Sequence, residues 1–133
     1  MVPKFRGKTI KGFLVVGYVS VVIDKRAGVE PGTYISNSVG LPFAYEVDPK
    51  TVGQSTGLKD KNGVEIFEGD IVFDRWANKY TPVFQNGIYM AYNPKNLMQN
   101  DPSTQFNIIW KDGCEVIGNI YENPELLEQA NEN

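Results

Sequence analysis

Four carboxylates, Asp60, Glu65, Glu68 and Asp70, crowd into the stretch "DKNGVEIFEGDIV" (residues 60–72), interleaved with Gly63 and Gly69. Acids at this density suit two kinds of chemistry: oxygen ligation of a divalent cation, or a carboxylate pair working as acid and base. The calcium-loop pattern fails. With Gly63 on the invariant glycine of an EF-hand, Asp60 and Asn62 take ligand positions, but Leu58 stands where the first aspartate belongs and Gly69 where the bidentate glutamate belongs. A phosphate loop fails too, because Gly53 and Gly57 enclose three residues and are followed by Leu58-Lys59 instead of Lys-Ser or Lys-Thr. An acid–base pair requires one carboxylate desolvated so that its pKa rises, and strand alternation supplies no evidence of burial at Glu68 or Asp70. A looser divalent-cation site built from the four acids stays open beside the expected reading, in which they are solvated charges that keep a sheet edge soluble, Gly69 takes a backbone angle closed to other residues and Asp70 bonds the backbone of the turn.

Histidine is absent, which removes the commonest general base and metal ligand, and with it Ser-His-Asp, Cys-His and histidine-based zinc chemistry. The single Cys114 forms no internal disulfide and lies in the apolar run "CEVIGNI" (114–120), where a buried thiol is expected in place of a nucleophile. No catalytic, cofactor-binding or metal-binding residue is assigned, and the chain is read as non-enzymatic. One unpaired cysteine fits a reducing cytoplasm.

The elements that position these residues read as β. A chain of 133 residues is the size of one ordinary domain, taken as 1–133, and can bury about two-thirds of its unfolded surface without metal or disulfide. An aromatic share of 12% favours strands, and turn signals recur every ten residues or so, the rhythm of an all-β domain. Residues Gly57, Asn62, Gly63, Gly69, Asp70, Asp112, Gly113 and Gly118 are expected to define the turns. Asn62-Gly63 accepts positive φ at both positions of a hairpin turn, and Lys111-Asp112-Gly113 is expected to join strands "FNIIW" and "CEVIGNI". Gly118 marks a bulge or a close backbone approach. Earlier strands are expected over 13–23, 33–36 and 43–47, the last stopped by Asp48-Pro49.

"FLVVGYVSVVI" (13–23) follows four cations and imitates a signal peptide, but Asp24, Lys25 and Arg26 follow at once, Gly17 and Ser20 interrupt it, and it is too short to span a bilayer as a helix. It reads as a β-branched strand buried on much of both faces, and no membrane association is expected. From 77 to 105 the chain reads as a long irregular excursion holding one strand, "IYMAY" (88–92), with Pro82, Asn93-Pro94 and Asp101-Pro102 as breaks. Asn123, Pro124 and Glu125 open a short C-terminal helix.

Binding is therefore the functional expectation. Arg75, Trp76, Lys79, Tyr80, Tyr89 and Tyr92 form the candidate interaction surface, aromatic residues interleaved with cations in or beside the excursion. Such a mixture suits a peptide groove or single-stranded nucleic acid. A net charge of −3 disfavours nucleic acid. Residues 1–12 carry four cations and no acid, whereas 115–133 carry five glutamates and no cation; the two ends are either simply solvated or able to join copies head to tail.

Three stretches carry a family resemblance: "EVDPKTVGQSTGLKDKNGVEIFEGDIV" (46–72), "EVIGNIYENPELLE" (115–128) and the opening "PKFRG". In this order and spacing the chain resembles the YopX family of phage and prophage proteins. Residues 13–45 and 77–105 match no pattern of that family. The resemblance implies a small mainly-β domain, an SH3-like roll or barrel with additional strands, encoded by a phage and acting in the cytoplasm of the bacterial host. It implies no reaction and no cofactor. The expected role is that of a protein-interaction module whose partner is an unknown host or phage protein, or a second copy in a homo-oligomer; a nucleic-acid-binding SH3-like or OB-like module is the alternative, and a carboxylate-dependent enzyme comes last.

Overall fold

In a computed structural model, residues 4–37, 44–93 and 104–126 are described. The chain forms two compact units, Met1–Ser55 and Thr56–Asn133. Both are built from antiparallel strands, and the sheets are open, with no closed barrel among the described residues.

The first unit contains β1 (Phe5–Lys8), β2 (Leu14–Val22), β3 (Gly32–Ser36), β4 (Tyr45–Val47) and the start of β5 (Gly53–Lys59), hydrogen-bonded in the order β4-β3-β2-β1-β5. Alternation decides its faces. Val15, Ile35 and Val47 form the buried core with Phe5, Val19, Tyr45 and Val52 against them, while Val16 and Tyr18 project outward. Gly7 faces inward because a Cβ there would lie 3.0 Å from Ile35 Cδ1. Between β4 and β5, Asp48 Oδ1 accepts the Lys50 amide at 3.0 Å and caps a 3₁₀ turn over Pro49–Thr51.

β2 departs from expectation. Its β-branched run predicts burial on much of both faces, but β1 pairs with it only over Leu14–Gly17 and β3 only over Tyr18–Val22. Its second half thus extends beyond β1, and Val21 is 68% exposed. The hairpin to β3 turns on Ala27 and Gly28 at φ 50° and 82°, a pair of left-handed residues that matches strand twist.

The second unit takes the end of β5 with β6 (Glu65–Phe67), then β7 (Asp70–Phe73), β8 (Lys79–Gln85), β9 (Ile88–Tyr92), β10 (Thr104–Gln105), the helix α1 (Phe106–Lys111) and β11 (Glu115–Asn119). Its larger sheet runs β10-β9-β8-β7-β11. Ile66, Val72, Ala91, Phe106, Ile109 and Cys114 make the core, each fully buried aliphatic or aromatic side chain worth roughly 1.5–3 kcal/mol.

Three expectations are corrected in this unit. "FNIIW" is helix α1 and not a strand, because Phe106 and Ile109 point inward at helical spacing while Asn107 and Ile108 face solvent. Asp112 and Gly113 consequently end a helix, with the Gly113 amide donating to Trp110 O at 3.0 Å and φ at 96°. The excursion holds two further strands, β10 at its end and β8, which pairs with β9 from Thr81 to Gln85 through the turn Asn86-Gly87 at φ 54° and 89°. Pro82 fits in β8 because β7 pairs only with Lys79 and Tyr80, so no ladder bond is needed on the second side of Pro82. Residues 94–103 lie outside the described residues. Of the expected C-terminal helix, Asn123 and Pro124 lead into helical Glu125 and Leu126, with the Leu126 amide donating to Asn123 O at 3.0 Å; residues 127–133 lie outside the described residues.

The turn between β5 and β6 differs in type as well. Only Gly63 has positive φ, at 84°. Asp60 O accepts the Gly63 amide at 3.0 Å and its side chain organises the loop, so the turn closes on an aspartate with Gly63 in the left-handed region, not on an Asn62-Gly63 pair.

Candidate interaction surface

Three aspartates hold the turns that carry the exposed residues of the second unit. Asp60 is 7% exposed; its Oδ1 accepts the amides of Asn62 at 2.8 Å and Val64 at 2.9 Å, and its Oδ2 accepts the Val116 amide at 2.9 Å. Burial pushes its pKa up, but these three amides with nearby Lys61 outweigh burial and hold the carboxyl below its ordinary range. Asp70 is 1% exposed. Its Oδ2 accepts the Phe67 amide at 2.8 Å, and its backbone carbonyl accepts the Thr81 hydroxyl. Gly69 beside it has φ 87°. Glu68 lies on the other side, its Oε2 accepting the Phe84 amide at 2.8 Å. Sequence alternation gave no sign that these aspartates are buried; the signal available was a short-range aspartate–amide spacing, two and four residues ahead of the amides for Asp60 and three residues behind the amide for Asp70.

Asp74 builds the β7–β8 turn in the same way, accepting the amides of Trp76 at 2.9 Å and Asn78 at 2.8 Å. That turn lifts Arg75 and Trp76 into solvent, with the guanidinium carbon 4.9 Å from the indole centroid, a cation–π stack. The other four residues of the expected surface do not join them. Tyr80 and Tyr89 pack against the core, and burial, with Glu68 second, pushes the Tyr89 hydroxyl up to about 12. Tyr92 is buried with its hydroxyl on Gln85 Oε1. Lys79 Nζ donates to Leu126 O at 2.8 Å. Gly118 sits at the register shift between β11 and β7, where a Cβ would lie 2.5 Å from Asn123 Oδ1. Gly57, at φ 77°, lies within β5 with open space around it.

Further exposed apolar side chains stand in the first unit, at the two ends of β2, on residues not assigned to a surface from sequence. Ile10 and Phe13 flank the β1–β2 turn, with Phe13 edge-on to Tyr45 at 5.6 Å. Val21, Ile23 and Val29 stand at the end of the β2–β3 hairpin, where, with Val22, Asp24 and Arg26, they line an open depression of about 470 Å³. Lys25 and Glu30 close the hairpin end by a salt bridge of 3.0 Å between exposed side chains. Cys114 is buried, and burial, with Asp60 second, pushes its thiol up to about 11.

Comparison with known proteins bears on this arrangement. The YopX protein family matches residues 5–128. A crystal structure of protein EF1440 from Enterococcus faecalis is similar to this chain at 31% identity, covering 96% of this chain and 99% of that one with a TM-score of 0.55. Among curated proteins none matches. The chain belongs to the YopX family.

Proposed function

We propose that this chain is a non-enzymatic protein-interaction module, a phage- or prophage-encoded protein that works in the cytoplasm of a bacterial host. One observation carries the reading: Val21, Ile23 and Val29 stand in solvent together at the end of the β2–β3 hairpin, and apolar groups gathered on a surface mark contact sites. The non-enzymatic part is supported by the chemistry of the most reactive groups. The Cys114 thiol stays protonated near neutrality, and the Asp60 carboxylate is held by three backbone amides that stabilise its charge instead of raising its pKa as an acid–base role requires. The bacterial setting is supported by the similar chain from Enterococcus faecalis.

The test is a photo-crosslinking residue at Ile23, with the protein produced in bacterial cells. A small set of discrete adducts is expected, and Val21→Asp in the same chain should remove them. A diffuse smear, or discrete adducts unaffected by Val21→Asp, would show that the hairpin is not a contact site.

A further inference from the structure

We infer that two copies of this chain associate edge to edge through β2, in one antiparallel register centred on Val22. This rests on the interaction-module reading and names a second copy as the partner. β3 occupies one edge of β2 from Tyr18 to Val22, while on the other edge β1 stops at the pair Phe5–Gly17. Among the described residues no strand therefore lies against that second edge at Val22, nor at Ile23 just beyond it. In an antiparallel strand alternate amides and carbonyls point away from the paired neighbour, so the edge offers a ladder of backbone groups to an incoming strand.

The sequence of the edge says which strand fits. Laid antiparallel on itself about Val22, the segment Ser20-Val21-Val22-Ile23-Asp24 sets Val21 opposite the partner's Ile23 and Ser20 opposite the partner's Asp24. A two-fold axis through Val22 then brings both Val21 and both Ile23 side chains to one face, at the close spacing of cross-strand neighbours. Ile23 is 81% exposed, so this contact covers the most exposed large apolar side chain among the described residues. Centring the register one residue later would set Ile23 on itself and Val22 against a charged Asp24, which loses two apolar pairs and desolvates a carboxylate.

Charge permits the same partner. The hairpin end carries Asp24, Glu30, Lys25 and Arg26, two of each sign, so two copies meet there without net repulsion. A head-to-tail contact between the basic start and the acidic end of the chain would instead be held by charge and weaken as salt rises. The edge contact depends on backbone bonds and apolar burial, and salt leaves it intact.

Sedimentation of the full chain over a wide range of concentration should show a reversible monomer–dimer equilibrium, unchanged between low and high salt and shifted to monomer by Ile23→Lys. Register is read by cysteine pairing. Directly opposed residues in an antiparallel pair have Cα atoms about 4.5 or 5.5 Å apart, within disulfide reach. Val22→Cys should crosslink to itself on mild oxidation, whereas Val21→Cys and Ile23→Cys should crosslink only when the two variants are mixed; Cys114 is buried and stays silent. A protein monomeric at every concentration, a dimer dissolved by salt, or a dimer untouched by Ile23→Lys would overturn the inference. If the chain is monomeric while crosslinking at Ile23 still yields discrete adducts, this inference falls and the module reading stands; if the adducts are absent as well, both fall.

Discussion

Asp60 Oδ2 accepts the amide of Val116 at 2.9 Å across 56 residues of sequence, so one carboxylate closes the β5–β6 turn and pins β11 beside it. Asp60→Asn replaces the accepting Oδ2 with a donor or turns the amide so that the loop loses its acceptor; in either orientation a buried N–H faces no oxygen. The expected loss is about 2 to 3 kcal/mol, given hydrogen bonds to a charged group and an unsatisfied donor left behind. The acid limb supplies a second readout. Because the folded pKa of Asp60 lies below its unfolded value, its contribution is complete above the unfolded pKa and is lost as pH falls through the folded one. Chemical denaturation at a series of pH values should show the deficit of Asp60→Asn largest near neutrality and shrinking at acid pH. A deficit that stays constant with pH would mean that the charge plays no part.

Gly63 and Gly69 offer a matched pair. Both have left-handed φ, 84° and 87°, so a side chain at either position meets the same backbone strain, about 1 to 2 kcal/mol for alanine and up to about 3 for valine. Their surroundings differ. A Cβ on Gly63 meets nothing within 4 Å, whereas one on Gly69 lies 2.9 Å from Tyr121 Cε2 and must displace that ring. Thermal melts of Gly63→Ala, Gly63→Val and Gly69→Ala should therefore all show destabilisation, with Gly69→Ala losing more than Gly63→Ala. An unchanged midpoint in Gly63→Val would mean that the turn does not need its left-handed residue.

The same positions show what was legible in the sequence. Turn chemistry was readable because it is local: Gly63 and Gly69 fall where backbone reversals demand positive φ. The strand over 13–23 was readable from its β-branched run and appears as Leu14–Val22. What local pattern cannot hold is the extent of a neighbour. β2 is exposed at Val21 because β1 ends early, and no feature of "FLVVGYVSVVI" encodes that. β8 was hidden by Pro82, which breaks a strand only where both edges are paired. Tyr80, Tyr89 and Tyr92 look like a binding face in sequence because aromatic residues serve cores and surfaces alike; in the folded unit Tyr80 and Tyr89 pack against the core that holds Ile66, Val72 and Ala91, and Tyr92 is buried.

Cys114 should be a slow nucleophile. Burial raises its thiol pKa to about 11, so near neutrality the thiolate is a minute fraction, and 2% exposure closes the approach to it. Alkylation by a neutral haloacetamide should be undetectable on the native protein and quantitative in denaturant. Rapid native labelling would place the thiol at the surface and reopen the question of a reactive role.

Helix α1 is where sequence expectation and structure diverge most, and two adjacent residues decide between them. If residues 106–110 formed a half-buried strand, Phe106, Ile108 and Trp110 would share one face and Ile109 the other. As a helix, Phe106 and Ile109 share the buried stripe and Ile108 lies outside it. Ile109 is 9% exposed and Ile108 is 52% exposed. Ile109→Ala leaves a cavity in the core beside Phe106 and should lose about 2 to 4 kcal/mol; Ile108→Ala removes surface methyls from a helix that alanine favours and should change stability by less than about 0.5 kcal/mol. Urea titration of the two variants reads the difference directly. A larger loss at Ile108 than at Ile109 would restore the strand and its alternation, and would turn Asp112 and Gly113 back into a hairpin turn.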